Sequence, residues 1–435
     1  MFTSFRNCLR WVCLLVCASA SFVTAQLNAE ENPVQSSELD VVVNVLLSRN
    51  PSLLSQRMRA NASAALIDSA GALDDPQLTY SIAPSSFGDS IPSGFGNALG
   101  VRQNFQISQA IPWSGKRQLQ VERMETETQV LVNTVAESRD VLIAEVRSVW
   151  AQWWYVHLAL SSNEELRQLI SSQSVVTETR YANGLGAQQD LLKIQNFSLQ
   201  LQHQHLALGQ ERAQLQSRLN FLLGQSAATP LPEPSTELKG PEMATRLELE
   251  QWLLETQPSL LKLQANAQAA FVNKQLTEKD DYPDMQFSLG YNELWNESAQ
   301  RLQVGVSVNI PLDFGKRTAR KSAARYTLHS VQMEVQSKRD ELLSQLETQI
   351  SSFEQAAHRI QLIESELLPS ATRLVNASLA NYEGGRGQFD ELIEAQEQLL
   401  ETQLLLNSTY AEQFIVLAQI NRLTGDRFWS IGESL

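Results

Sequence analysis

Beyond position 17 the sequence has no cysteine, because Cys8, Cys13 and Cys17 are its only three. That excludes disulfides, thiol nucleophiles and cysteine metal sites from everything downstream. Positive charge is also short, with 34 Lys and Arg against 48 Asp and Glu for a net charge of −14, and no basic block occurs. An acidic chain of this kind argues against nucleic acid as a partner. Past Ala25 no stretch approaches the roughly 20 apolar residues that a membrane-spanning helix needs. The five histidines are scattered: His203 and His205 are two apart and do not share a helix face, and His157, His329 and His358 lie elsewhere. No nucleophile–base constellation or phosphate loop occurs, and "GGRG" at Gly384 reads as a turn between helices. The sequence is therefore read as non-catalytic, with no cofactor and no metal site.

What is present begins with a leader. "MFTSFRNCLR" carries two arginines, "WVCLLVCASA" is apolar and "SFVTA" ends in small residues. This is the pattern of a secretory signal over residues 1–25, cleaved after Ala25. "LLVC" offers an alternative, a lipidated Cys17, but Val16 stands where a small residue is expected.

The remainder is a tandem duplication. "NPSLL" at Asn50 matches "QPSLL" at Gln257, and Pro76 falls on Pro283. "QAIPWSGKR" at Gln109 matches "NIPLDFGKR" at Asn309. "YANGLGAQQDLL" at Tyr181 matches "YEGGRGQFDELI" at Tyr382, placing Gly184 on Gly385 and Gly186 on Gly387. "LNFLLGQ" and "INRLTGD" close the two halves. Motifs kept in order at an offset of about 199 to 207 mark a repeat. The first repeat spans 26–225, with a hairpin of strands over 77–111 and a long helical hairpin over 114–224. The proline-rich segment 226–241 joins it to a second repeat, 242–426, whose strand hairpin covers 284–310 and whose helical hairpin covers 314–425. A tail, 427–435, follows.

The strands carry the strongest signal. Leu302, Val304, Val306, Val308 and Ile310 alternate with Gln303, Gly305, Ser307 and Asn309, about nine residues of period two. That is the span of a tilted transmembrane strand. Val101, Phe105, Ile107 and Ile111 repeat the pattern more weakly, and "QLTYSI" and "MQFSLGY" supply partners, with Tyr80 and Tyr291 placed like interfacial aromatics. A small soluble sheet with one wet face would give the same alternation, and the helices decide between the two. Lys116 to Arg180 contains no proline or glycine, enough for a helix of about 100 Å. Arg317 to Tyr382 repeats it, interrupted only by Pro369. Leu342, Leu346, Ile350, Phe353, Ala357, Ile360 and Leu367 form one three-four stripe, with polar residues elsewhere. Such a helix cannot bury itself and needs other chains.

Strand number agrees. Four strands cannot close a barrel, eight give a filled one and twelve leave an aqueous lumen, so three chains are expected. The repeated "IP…GKR" then leads each strand out of the membrane into a helix. Pro112 and Pro311 end strand pairing, Gly115 and Gly315 permit the bend, and Lys116, Arg117, Lys316 and Arg317 are expected to reach the lipid interface.

On these residues the chain resembles the outer-membrane efflux proteins, the TolC-like outer-membrane factors. The resemblance implies a mainly α fold with a transmembrane β-barrel: a homotrimeric, 12-stranded barrel in outer-membrane lipid, continuing into an α-helical periplasmic barrel. It implies a passive conduit that docks a periplasmic adaptor (membrane fusion protein) and an inner-membrane pump, the tips at Gly184, Gly186, Gly385 and Gly387 meeting the adaptor. "GALDDPQL" and "SQAIPWSGKR" are most similar to the branch associated with heavy-metal cation efflux. Multidrug efflux and type I protein secretion use the same architecture. A periplasmic coiled-coil scaffold or adaptor is the alternative of another class, and it leaves the alternating strands unexplained.

Two further features have competing readings. Asp190, Asp390, Glu391 and Glu394 lie just past the tips, where three copies would form acidic rings at the periplasmic mouth. Acids at a helix N-terminus are also favourable by themselves. "WAQWWYVH" at Trp150 reads as helix packing against the equatorial region rather than as a ligand cage.

Overall fold

The computed structural model describes residues 38–84, 101–184, 186–234, 238, 240–292, 301–384 and 386–427. The expected leader, Cys17, Leu185, Gly385 and the tail beyond Arg427 lie outside these.

Two short helices, α1 (Glu38–Arg49) and α2 (Pro51–Ala65), and a single turn, α3 (Ile67–Ala70), precede strands β1 (Gln77–Pro84) and β2 (Val101–Ile111). The long helix α4 (Lys116–Ala182) and its return α5 (Gln188–Leu222) complete the first repeat. The second repeat has α6 (Arg246–Thr256), α7 (Pro258–Lys279), β3 (Met285–Asn292), β4 (Leu302–Val308), α8 (Lys316–Leu362), α9 (Leu368–Glu383) and α10 (Phe389–Leu423).

The repeats start and finish their helices alike. Asn50 caps α2 by accepting from the Leu53 N–H at 3.0 Å, with Pro51 at the first helical position, where its missing N–H costs nothing. The same side chain donates to Leu222 O at the end of α5 (2.8 Å). In the second repeat Pro258 opens α7, and the Thr256 hydroxyl donates to Thr424 O just past α10 (3.0 Å). Each short helix thus satisfies an orphan carbonyl of its own long hairpin.

The repeats also differ by one residue. Lys116 and Lys316 are 200 apart, but Tyr181 and Tyr382 are 201 apart. The extra residue is absorbed as a π-helical turn, Ile363–Leu367, ahead of Pro369. A π turn opens the hydrogen-bond ladder by one residue, which also accommodates a proline that cannot donate. The hydroxyl of Tyr410 on α10 donates to Glu364 in this turn at 2.6 Å. The phase of the apolar stripe shifts there. Leu342, Leu346, Ile350 and Ile360 are buried, Ile363 takes the next inward position, and Leu367, the last member of the stripe, is exposed in the single chain.

Three apolar clusters hold the helices together. One joins α1, the middle of α4, the end of α5 and α10, and includes Trp150, Trp153 and Trp154. Trp153 donates to Pro232 O in the inter-repeat segment (3.4 Å), so this aromatic run is packing. A second cluster joins α6, α7, α8 and the end of α10. The third gathers Leu166 and Ile170 of α4, Ile194, Phe197 and Leu201 of α5, and Phe389, Ile393 and Leu400 of α10.

Candidate functional site: the sheet, its junctions and the helical tips

The strands form one antiparallel sheet in the order β1-β2-β3-β4. Register aligns the sequence alternation across all of it. Leu78, Ile107, Leu289 and Val304 form one cross-strand row, and Tyr80, Phe105, Tyr291 and Leu302 the next. Directly opposed residues share a face, so every member of these rows projects to the same side. That side is exposed throughout, with Val304 78% and Val306 57% accessible. The opposite side carries Thr79, Gln106 and Gln303 in one row and Ser108 and Ser288 in another. The sheet thus keeps its aliphatic residues on one face and its glutamines and serines on the other, and the polar face is also open in the single chain, with Thr79, Gln286, Gln303 and Ser307 exposed. Aromatics mark both ends of the apolar band. Tyr80 and Phe105 touch at 4.8 Å, and Trp113 stacks on Tyr282 at 5.3 Å.

The junctions follow at once. Gly115 (φ 87°) and Gly315 (φ 93°) precede α4 and α8 in the left-handed region, where a side chain is strained. At the first junction, Lys116 donates to both carboxylate oxygens of Asp284 at 3.0 Å, and the Trp113 N–H donates to Asp284 Oδ1 at 2.8 Å. Asp280 stands 3.6 Å away. Arg117 donates to Gly71 O (2.6 Å) and Arg317 to Leu312 O (2.9 Å). Lys116 is shielded by its carboxylate partners and Arg317 is half-buried, whereas Arg117 and Lys316 are exposed. At the second junction Asp313 accepts from the Gly315 N–H (2.9 Å), the Arg317 N–H (3.1 Å) and the Thr318 hydroxyl (2.6 Å). Pro112 follows β2 directly. Around Pro311 the Leu312 N–H closes onto Ile310 O at 2.9 Å, bending the chain.

At the other end of the helices the two tips lie side by side. A cleft between them is lined by Thr177, Arg180, Gly186, Tyr382, Gly387 and Phe389. Arg180 covers the Tyr382 ring at 5.1 Å, and that ring meets Phe389 at 5.4 Å. Gly184 has φ 71°, with open space around it. Gly186 and Gly387 are set by contact: a Cβ at Gly387 would stand 2.9 Å from Asn381 Cβ, and one at Gly186 would stand 3.2 Å from Tyr181 N.

The four tip acids divide. Asp390 is paired with Lys193 of α5, and its Oδ1 is buried without a hydrogen-bond partner. Glu391 and Glu394 are exposed and three apart, on one face of α10, and Asp190 is half-buried in the first turn of α5. Lys193 escaped sequence reading because its partner sits on another helix. Asp284 was closer to legible, as a carboxylate between the repeated proline and a strand. A buried charge group lies at the inter-repeat level. Arg147 of α4 donates to Asp426 at 2.7 Å, and Asp140 lies 4.0 Å from Arg139. Burial pushes the Asp140 carboxyl up to about 7. Among the described residues no group of three or more His, Cys, Asp or Glu could hold a metal ion, and no helix is long and apolar enough to cross a membrane.

Residues 249–426 match the family described as outer membrane efflux protein. No curated protein sequence matches the chain. Solved structures do: a membrane protein from Pseudomonas aeruginosa is 15% identical, with a TM-score of 0.77 over 89% of this chain and 90% of that one. The outer membrane protein VceC from Vibrio cholerae is 16% identical, with a TM-score of 0.75 over 89% and 96%. The CmeC outer membrane channel from Campylobacter jejuni is 12% identical, with a TM-score of 0.76 over 90% and 86%. Identities this low establish a shared fold.

Proposed function

We propose that this chain is a member of the outer membrane efflux protein family, whose match spans residues 249–426, and that it is the outer-membrane conduit of a tripartite efflux system. It sits in the outer membrane with its long helices in the periplasm. Three copies contribute four strands each to a twelve-stranded barrel, and their helices continue it as a tunnel toward a periplasmic adaptor and an inner-membrane pump. The observation that carries this is the sheet: its aliphatic face is exposed across all four strands while its polar face can line water. The barrel is a passive path, and it performs no covalent chemistry. Gly184, Gly186, Gly385 and Gly387 shape the ends that meet the adaptor. Asp190, Glu391 and Glu394 supply the negative charge at the periplasmic mouth, with Asp390 offset by Lys193. The cargo proposed is heavy-metal cations, on the likeness of "GALDDPQL" and "SQAIPWSGKR" to that branch, and a strain lacking the gene should become metal-sensitive.

The direct test is membrane behaviour. After a carbonate wash the protein stays in the membrane pellet, and once purified it conducts ions across a planar bilayer. Release into the supernatant would instead favour a periplasmic scaffold.

A further inference from the structure

A cavity of about 680 Å³ opens beside the first junction, where α4 begins and α7 ends. Gly115, Gln118 and Glu122 line it from one side and Glu278, Lys279 and Tyr282 from the other. The alternation leading into β3 fixes which way it faces. Asp284 has the parity of Gln286 and Ser288, so it belongs to the polar side of the sheet, and Lys116 turns to that side to reach it. Gln118 is two residues further along α4, roughly 200° around the helix. The cavity therefore opens on the side of the apolar band. Its Tyr282 is the ring that stacks on Trp113 at the end of that band.

Its charges divide into paired and unpaired. Glu278 is paired with Lys274 at 3.1 Å, and Asp281, which also lines the cavity, with Lys321. Among the described residues Lys279 and Glu122 have no oppositely charged partner, and they form no ion pair with each other. The Lys279 ammonium lies 5.6 Å from the Tyr282 ring centroid, and the Glu122 carboxylate accepts from the neutral Gln268 amide at 3.2 Å. Both residues are half-buried. A partly desolvated charge without a counter-ion favours a ligand of opposite sign. The bend itself does not require these groups. Setting Gly115 on Gly315 puts Glu122 on Ser322, and setting Pro76 on Pro283 puts Lys279 on Ala72 and Tyr282 on Asp75. The second junction turns without them.

One unpaired cation and one unpaired anion at the end of a lipid-facing band match a zwitterion with an apolar tail. We propose that this cavity holds the phosphoethanolamine headgroup of a phospholipid, with Lys279 on the phosphate and Glu122 on the ammonium. The acyl chains then lie along the aliphatic face of the sheet. The leaflet rests on the outer-membrane placement proposed above, which puts the junction end of the sheet on the periplasmic side. Each chain carries one such site.

The test uses purified full-length protein, stripped of co-purified lipid and titrated with phosphatidylethanolamine under native mass spectrometry. The parent binds its tightest phosphatidylethanolamine more strongly than phosphatidylglycerol with the same acyl chains, which lacks the ammonium. Lys279→Gln weakens both lipids by about fivefold. Glu122→Gln weakens phosphatidylethanolamine alone and so removes the preference. Lys274→Gln, whose charge is already committed to Glu278, changes neither. Circular dichroism confirms folding, and each of the two site variants decides independently of the other. Equal binding by the parent and both folded variants overturns the site. Displacement of the tightest lipid by inorganic phosphate makes it a free-phosphate site and overturns the headgroup assignment. Either result, in a protein that stays in the carbonate-washed pellet, leaves the outer-membrane reading standing. Release in that wash overturns the reading and the lipid site together.

Discussion

Lys116 Nζ lies 3.0 Å from each carboxylate oxygen of Asp284, fastening the first residue of α4 to the residue just before β3. One ion pair therefore ties the first repeat's helix to the second repeat's strand. The Lys116 side chain is only 11% exposed, so the pair is better shielded than most surface pairs. Lys116→Met should cost about 1–2 kcal/mol, while Lys316→Met, at the exposed equivalent, should cost little. Thermal unfolding of the two variants in one detergent checks this, and equal losses would assign the junction no special role.

The tips give a second prediction. Gly387→Val places side-chain atoms where even a Cβ would stand 2.9 Å from Asn381, and Gly184→Val strains a residue at φ 71°. Either should distort a helical reversal without touching the sheet, which lies roughly 100 Å away along the helix. Assembly and membrane insertion should stay near normal while export and adaptor crosslinking fall together. Normal export in both variants would make the tips plain connectors.

A third concerns pH. Asp140 is raised from 3.8 to about 7 by burial, so the folded protein holds its proton between those values while the unfolded chain releases it. Stability from this group is fully present below about pH 4 and falls as pH rises towards 7, by on the order of 4 kcal/mol. The charges facing it are Arg139 and Arg147 of α4, Arg422 of α10 and Asp426. Asp140→Asn should be more stable than the parent at pH 8 and should lose this part of the pH slope. Parallel stability curves across pH 4–8 would remove Asp140 as the cause.

Fourth, neighbours on β4 should behave oppositely. Val306 stands opposite Phe287 on the apolar side, and Ser307 opposite Gln286 on the polar side. Arginine at a lipid-facing midplane position costs about 2–4 kcal/mol, whereas a lumen position tolerates it. Val306→Arg should abolish assembled protein in outer-membrane fractions, and Ser307→Arg should leave its yield near normal. Similar yields would mean that the apolar face does not meet lipid.

Much of this was legible in residue order because it depends on local periodicity. Val304 and Val306 alternate with Gly305 and Ser307 for the same reason that β4 has two faces, and a run without proline or glycine from Lys116 has no cause to stop being helix. What escaped depended on contacts between distant segments or on a count. The inward turn of Lys116 requires Asp284 to be brought alongside it, and Asp390 meets Lys193 only once the tips stand together. Uniform α periodicity runs the apolar stripe to Leu367, whereas the π turn Ile363–Leu367 brings Ile363 inward instead. The one-residue excess between Lys316 and Tyr382 was visible, but only the π turn shows where it is absorbed.

Whether three copies close one pore is decided by the mass of the detergent-extracted protein in light scattering, corrected for bound detergent. A trimeric pore gives a single species at three times the chain mass. A monodisperse monomer or dimer would contradict it, because four strands cannot close a barrel and eight would leave one filled.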